Sequence, residues 1–338
     1  MPSCINSALL IAGLACAMAS RSDADCPQFE PGEQVGTVQH NSINEASGIV
    51  ASRRNRDVLW VHNDSGDSAR VFAMKTDGTH LGIYTITGAG AVDWEDIAIG
   101  PGPVAGQDYL YVGDIGDNNA VRARGVQVYR VPEPAVDADQ DSVNVALTGA
   151  VGITLRYPDG ARDAETLMVD PANGDIYIVS KREAKSRVYR AACPQTSGMT
   201  MQFVTELPWA QATGGDISSL GTEIIIRGYV NASLWLIPDE GAVADAFDEA
   251  PCSVPVAGEP QGEAVSFDAS GLGYFTVSEG AHQPIYRFSR IVDAPEPKRS
   301  GKPRRISTTQ AAFGIGLALA LAIALYAVRR SRRRPRVA

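Results

Sequence analysis

Six carboxylates lie within the 28 residues from Ala91 to Asn118, which also hold two hydrophobic runs. Five of them form two groups, Asp93-Trp94-Glu95-Asp96 ahead of the first run and Asp114-Ile115-Gly116-Asp117-Asn118 at the end of the second. Clustered carboxylate and carbonyl oxygens are the ligands that calcium prefers. Asp and Asn also close turns by bonding to nearby backbone. The residue types therefore leave a metal site and a purely structural role open.

The same arrangement of an acid, a short apolar strand, a Gly-bearing turn and a second strand occurs five times along the chain. The acids that open these units are Glu45, Glu95, Glu165, Asp216 and Glu263, at spacings of 50, 70, 51 and 47 residues. Each unit continues with a third strand, and the first four continue with a weaker fourth strand. Short alternating runs between turn residues predict an all-β domain. Four strands repeated at this period indicate the blade of a β-propeller.

Five blades are predicted over residues 27–292. Six blades are the alternative, because residues 133–148 could contain part of another blade, although they have no opening acid and only one strand-like stretch. The fifth unit lacks a fourth strand of its own. We expect Gly36-Thr37-Val38-Gln39-His40, at the start of the domain, to supply that strand and close the ring.

Blade geometry predicts that the acids meet at one end of the central channel. The first strand of a blade lines the channel and the second runs antiparallel to it, so strand-one starts and strand-two ends share one face, here called the channel mouth. Several carboxylates around a narrow channel repel one another unless protons or cations separate them. The predicted calcium ligands are Glu45, Asn63, Asp64, Glu95, Asp114, Asp216, Glu263 and Glu279. The predicted catalytic residues are Glu95, Glu165 and Glu263, and the predicted substrate-binding residues are His62, Lys181 and Arg227.

The starts of four units carry a family resemblance. Glu-Ala-Ser-Gly-Ile, Asp-Trp-Glu-Asp-Ile-Ala, Asp-Ala-Glu-Thr-Leu and Gln-Gly-Glu-Ala-Val resemble the blade starts of bacterial exported propellers over residues 35–292. That superfamily includes β-propeller phytases and phytase-like esterases, the calcium-dependent phosphotriesterase and lactonase group, and SdiA-regulated proteins. The resemblance implies calcium as a cofactor and a phosphoester or a lactone as substrate.

Both ends of the chain read as targeting segments. Residues 1–19 end in Ala17-Met18-Ala19 after an apolar run, which indicates a secretory signal peptide, with a lipoprotein site at Cys16 as the weaker reading. Residues 311–328 form an uncharged apolar run that spans about 27 Å as a helix, enough to cross a bilayer. The Arg-rich tail, residues 329–338, predicts that this end is cytoplasmic. Residues 293–310 are then a linker, and the propeller is exported and membrane-anchored, at the cell surface or in the periplasm.

Charge and cysteine content narrow the partners. Before Lys298 the chain carries 39 acidic and 19 basic residues, a net charge of −20. Such a surface repels nucleic acid, which leaves a small-molecule or surface ligand besides the membrane. After signal removal the cysteines are Cys26, Cys193 and Cys252, and export permits a disulfide. Cys193 and Cys252 follow the third strands of adjacent blades, so they are the predicted pair.

Three functions fit these observations. The first is a calcium-dependent hydrolase of phosphoesters or lactones at the channel mouth. The second is a non-catalytic surface propeller that binds a ligand or a protein there. The third is a glycosidase that uses paired carboxylates such as Glu45 and Glu165. The fold alone does not choose among them.

Overall fold

The computed structural model describes residues 26–292, and these form a ring of five sheets whose first four strands are antiparallel. Blade 1 contains β2 (Ala46–Ala51), β3 (Val58–Asn63), β4 (Arg70–Lys75), β5 (His80–Ile86) and β9 (Val143–Leu147). Blade 2 contains β6 (Trp94–Pro101), β7 (Asp108–Asp114), β8 (Val126–Pro132), β10 (Val151–Arg156) and β14 (Met199–Thr200). The predicted five-bladed propeller is confirmed.

The other three blades have four strands each. Blade 3 contains β11 (Ala164–Val169), β12 (Ile176–Ser180), β13 (Arg187–Ala191) and β15 (Gln202–Glu206). Blade 4 contains β16 (Gly214–Ile217), β17 (Glu223–Arg227), β18 (Ala232–Leu236) and β19 (Cys252–Val254), with a 3-10 helix at Val243–Asp248 before the last strand. Blade 5 contains β20 (Gly262–Phe267), β21 (Gly273–Ser278), β22 (Pro284–Ser289) and β1 (Glu33–Thr37).

The N-terminal strand closes the ring as predicted, but its boundaries differ by three residues. The N-terminal strand β1 pairs antiparallel with β22, and Glu33 lies opposite Arg287. The strand therefore begins three residues before the predicted Gly36. It supplies the fourth strand that the last repeat lacks, so the first and last parts of the domain share one sheet.

The core lies between the blades. Five clusters of buried hydrophobic side chains fill the five seams between neighbouring sheets, for example Trp60 with Ile97 between blades 1 and 2. Each of the inner strands β2, β11 and β20 is buried along its whole length. A strand covered on both faces needs apolar residues on both, which explains continuous runs such as Leu167-Met168-Val169.

The insertion near residues 133–148 does not form a sixth blade. Its strand β9 pairs parallel with β5 and extends blade 1 at its outer edge. The buried Glu133 carboxylate accepts hydrogen bonds from Trp60 Nε1 (3.0 Å), Asn55 and Ser52 of blade 1. The insertion thus follows the third strand of blade 2 and packs on blade 1, so it joins the two blades.

The disulfide prediction was wrong. Cys26 pairs with Cys252, with 5.6 Å between their Cα atoms, and Cys193 is a free, exposed thiol. A disulfide requires Cα atoms within about 7 Å, and Cys26 is the cysteine that meets this condition with Cys252. Cys26 precedes the closing strand β1, so the bond ties the N-terminal segment to the outer strand of blade 4.

None of the helices within residues 26–292 is both long and apolar enough to cross a membrane. The predicted signal peptide, linker, transmembrane helix and Arg-rich tail lie outside the described residues. The export signal and the membrane anchor therefore remain predictions.

The Cys26–Cys252 bond should stabilise the closed ring. Cys26→Ser should lower the free energy of unfolding by about 2–5 kcal/mol, because the bond closes a loop of 226 residues and restricts the unfolded chain. Guanidinium denaturation without reductant measures this, with Cys193→Ser as the matched control that should change stability little. Equal midpoints for the two variants would contradict the assigned pairing.

Candidate functional site

A β-bulge at the start of three inner strands places a Glu in the channel mouth. The pairing register shifts between Trp94 and Asp96, between Ala164 and Thr166, and between Gly262 and Ala264. The extra residues at these bulges are Glu95, Glu165 and Glu263, and a bulge re-aims the side chain it carries. The three acids come from blades 2, 3 and 5 and lie close enough to repel one another. The charge of Glu165 raises the pKa of both Glu95 and Glu263. The structure therefore brings the three predicted catalytic residues together.

Three carboxylates form a tighter group within this mouth. One oxygen each of Asp64, Asp93 and Glu95 lies within 4.8 Å of the other two. Asp64 follows β3 of blade 1, whereas Asp93 and Glu95 flank the start of β6 in blade 2. The group therefore spans a seam between blades, and we call it the triad.

Glu95 is the buried member of the triad. Its side chain is 4% exposed, and within residues 26–292 no hydrogen-bond donor or basic group contacts its carboxylate. Gly116 lies directly against it, since a Cβ there would come within 2.2 Å of Glu95 Oε1 and 2.5 Å of Asp93 Oδ2. The Glu95 oxygens are not among the fully enclosed unpartnered atoms of residues 26–292, so water can reach them, but the burial of the residue still favours a proton or a cation there.

The pKa values follow from this crowding. Burial, then repulsion from Glu165, Asp64 and Asp93, raises the pKa of Glu95 well above its usual range. Burial and neighbouring carboxylates raise the pKa of Asp93 to about 6 and that of Glu263 to about 8. Burial also raises the pKa of Asp64. At neutral pH the mouth cannot be fully ionised without a cation.

Lys181 is the base that enters this group. Its ammonium forms an ion pair with Glu165 and lies 5.0 Å from the ring centre of Tyr229. Burial raises the pKa of Glu165 and the ammonium opposes that rise, while the same contact raises the pKa of Lys181. The neighbouring Arg182 is held by Asp163 at 2.5 Å and by Asn118.

Glu263 and Glu279 form the opposite side of the mouth. Gln261 donates to Glu263 Oε1 at 3.2 Å and also to Glu279. After burial, the charges of Asp64 and Glu45 raise the pKa of Glu279, so Glu45 faces the same mouth. Glu165 contacts Lys181 and not Glu45, and the glycosidase hypothesis stays a prediction.

Two predicted metal ligands, Asn63 and Asp114, hold backbone at the channel mouth, and their metal role stays a prediction. Asn63 Oδ1 accepts the backbone N–H groups of Asn44 (3.1 Å) and Glu45 (3.2 Å). Asp114 accepts those of Val92 and Asp93, both at 3.2 Å, and also binds Arg122. Both residues end the second strand of a blade and hold the segment that leads into its first strand. Their oxygens are therefore already occupied.

Three more predicted residues are buried and are not members of the triad. Asp216 lies within β16, opposite Ile225, and accepts bonds from the backbone of Ile217 and Phe267 and from Ser266. Arg227 is fully buried, 2.8 Å from Glu259 and 3.1 Å from the Ala264 carbonyl oxygen.

His62 packs on Trp94 with 5.8 Å between ring centres, and its Nδ1 lies 2.7 Å from the Asn63 carbonyl oxygen. Burial lowers its pKa to about 4. These contacts give Asp216, Arg227 and His62 structural partners, and the metal role of Asp216 and the substrate-binding roles of Arg227 and His62 stay predictions.

Sequence reasoning missed Asp93, Gly116, Gln261 and Tyr229. Glu45 and Glu95 open their units in the sequence alignment, but the backbone hydrogen bonds do not place them at equivalent positions. The carbonyl oxygens of Glu45, Asp93, Asp163 and Gln261 each accept an N–H from the residue or loop that follows strand two. Asp93 is thus the equivalent of Glu45, and Ser47 is the equivalent of Glu95. Aligning the units on their apolar strands would have separated these two positions.

No protein-family model and no curated protein matches the chain. Among solved structures, it is similar to Myxococcus xanthus glutaminyl cyclase (7% identity, 78% of this chain and 99% of that chain, TM-score 0.45). It is also similar to a luciferin-regenerating enzyme (10% identity, 83% and 98%, TM-score 0.39) and to a nidogen/laminin complex (12% identity, 71% and 74%, TM-score 0.41). The class that fold and site define is a five-bladed propeller with an acidic channel mouth.

The crowded mouth should make the cation-free protein less stable as pH rises. An acid whose pKa is raised on folding costs the folded state free energy once pH passes its unfolded value, 4.5 for Glu263, up to its folded value of about 8. In EDTA, the melting temperature of the full-length chain should therefore fall between pH 5 and pH 8, and Glu263→Gln should reduce that fall. A melting temperature that rises over this range in both proteins would contradict the account.

Proposed function

We propose that the triad of Asp64, Asp93 and Glu95 binds calcium. The observation that carries this proposal is the Glu95 carboxylate, which is buried, has no donor within residues 26–292 and lies within 4.8 Å of two further carboxylates. A divalent cation would neutralise this group and remove the repulsion that raises the pKa values. Ligands from blades 1 and 2 would also join the two blades.

The donor set favours calcium over other metals. It consists of carboxylate oxygens alone, without the imidazole or thiolate that zinc and copper prefer. Three side chains leave coordination positions for water or for a substrate oxygen. Calcium is available outside the cytoplasm, where we propose that the propeller lies. The Cys26–Cys252 disulfide supports that location, since such bonds persist in oxidising compartments.

We further propose that the mouth hydrolyses phosphoesters or lactones. A bound calcium ion would polarise a phosphoryl or carbonyl oxygen. The Lys181 ammonium, which lies beside Glu165, can donate a hydrogen bond to an anionic substrate oxygen. Burial, the largest cause of the raised pKa of Glu263, favours a protonated carboxyl that can give its proton to a leaving group.

One observation favours a non-catalytic ligand-binding propeller as the second candidate. Val92, Val121 and Val230 are exposed in the segments and loops at the mouth end of blades 2 and 4. Glu165 and Glu263 already have partners in Lys181 and Gln261. Exposed valines around acids that already have partners could bind a ligand without any reaction.

Calcium binding should depend on Glu95. In titration calorimetry on the full-length chain, Glu95→Gln should weaken calcium binding at least tenfold, about 1.4 kcal/mol, because it removes the buried ligand charge. Gly116→Ala should also weaken binding without changing charge, since the new methyl group displaces the Glu95 and Asp93 oxygens. Glu240→Gln is the control, because Glu240 is exposed in the loop between β18 and β19 of blade 4, and this variant should bind calcium like the wild type.

No heat on calcium addition to the wild type, or equal affinity in Glu95→Gln, would overturn the calcium proposal. If calcium binds, phosphomonoesters, phytate and lactones should be assayed with and without EDTA. Turnover that Glu95→Gln and Lys181→Met both reduce supports the hydrolase. Calcium binding without turnover on these substrates would favour the ligand-binding propeller.

A further inference from the structure

The chain leaves the propeller on the face opposite the channel mouth. In blade 5, Glu263 opens β20 at the mouth, and β22 then runs away from the mouth to end at Ser289. Arg290 N–H donates to the Leu272 carbonyl oxygen at 2.7 Å, which fixes the exit beside the turn between β20 and β21. Arg290 also forms an ion pair with Glu223 of blade 4 at 2.5 Å.

Three exposed aliphatic side chains surround this exit. Leu220 is 71% exposed, Leu272 is 49% exposed and Val292 is 71% exposed, and we call them the exit patch. Leu220 lies beside the turn that carries Leu272, since a Cβ on Gly271 would lie 3.7 Å from Leu220 Cδ1, and Val292 follows two residues after Arg290, which bonds to Leu272. All three lie on the face from which the chain departs toward its apolar run.

The turns that carry Leu220 and Leu272 are rigid. Ser218 Oγ accepts the N–H groups of Thr222 and Glu223, both at 3.1 Å, and so closes the Leu220 turn. Asp268 Oδ1 accepts those of Ser270 and Leu272, also at 3.1 Å. Fixed turns that present aliphatic side chains to the exterior indicate a surface that meets an apolar partner.

We propose that the exit patch rests on the bilayer that residues 311–328 enter. This inference depends on the membrane anchor put forward above. Only residues 293–310 separate Val292 from that run, and they contain Lys298, Arg299, Lys302, Arg304 and Arg305 against two acids. Basic residues beside a membrane attract anionic headgroups, whereas the acidic mouth on the opposite face is repelled by them. The exit patch, the basic linker and the acidic mouth therefore all favour the orientation in which the exit patch faces the membrane.

This orientation places the channel mouth away from the membrane. The triad is then open to soluble ligands and to the ions of the surrounding medium. The bilayer contact would also limit how the propeller swings on its linker.

Site-specific fluorescence quenching tests the orientation. The full-length chain, with Cys4, Cys16 and Cys193 changed to serine, carries one bimane label at Leu220→Cys, at Leu272→Cys or at the control Val230→Cys. Each protein is placed in nanodiscs of phosphatidylcholine and phosphatidylglycerol that contain a headgroup spin label. The labels at positions 220 and 272 should be quenched at least twofold more than the label at position 230, which lies on the mouth side.

Equal quenching at all three positions, in protein that still copurifies with nanodiscs, would overturn the proposal and leave the anchor intact. A shifted emission at position 220 without quenching, together with crosslinking between copies, would overturn it in favour of a dimer contact. Protein that fails to copurify with nanodiscs would remove the anchor and this inference together. Calcium titration of the same proteins keeps the triad test separate from each of these outcomes.

Discussion

Closure of the ring by a strand from the far end of the sequence is the constraint on which the rest of the structure depends. When β1 pairs with β22, the two ends of the domain share one sheet, and all five first strands must face one channel. The apolar seams between blades stabilise this arrangement. The carboxylates at the strand starts are then held together against their mutual repulsion. The Cys26–Cys252 bond and the insertion from blade 2 onto blade 1 reinforce the same closure.

The mouth gains its chemistry from small departures from regular strand geometry. Three bulges turn Glu95, Glu165 and Glu263 toward a common centre, while Asp216 lies further along its strand and stays in backbone contacts. Gly116 leaves room for the Asp93 and Glu95 carboxylates to approach each other. The raised pKa values are the consequence of this packing. The protein therefore stores electrostatic repulsion at a place where a cation can relieve it.

Repetition made much of the fold predictable from the sequence. The five units, their fourth strands and the closing strand all follow from apolar runs at a regular period, because burial on both faces dictates those runs. Grouping Glu95, Glu165 and Glu263 at one mouth followed from the same geometry. The resemblance to bacterial exported propellers agrees with the propeller fold, but no specific family is shown.

The remaining features depend on single-residue register and on contacts distant in sequence. Glu45 and Glu95 look equivalent in sequence, but the backbone hydrogen bonds place Glu45 level with Asp93, two residues before the position of Glu95. Asn63 and Asp114 have the composition of calcium ligands, and only the structure shows that backbone N–H groups already occupy their oxygens. The Cys26–Cys252 pair joins residues 226 positions apart, which no local pattern records.

The central claim is that the triad exists to hold a cation. A crystal structure of the protein grown with calcium, with anomalous data collected, tests this most directly. The account predicts one ion within about 2.3–2.6 Å of carboxylate oxygens from Asp64, Asp93 and Glu95 together. A mouth that holds only water beside Glu95, in crystals saturated with calcium, would contradict it.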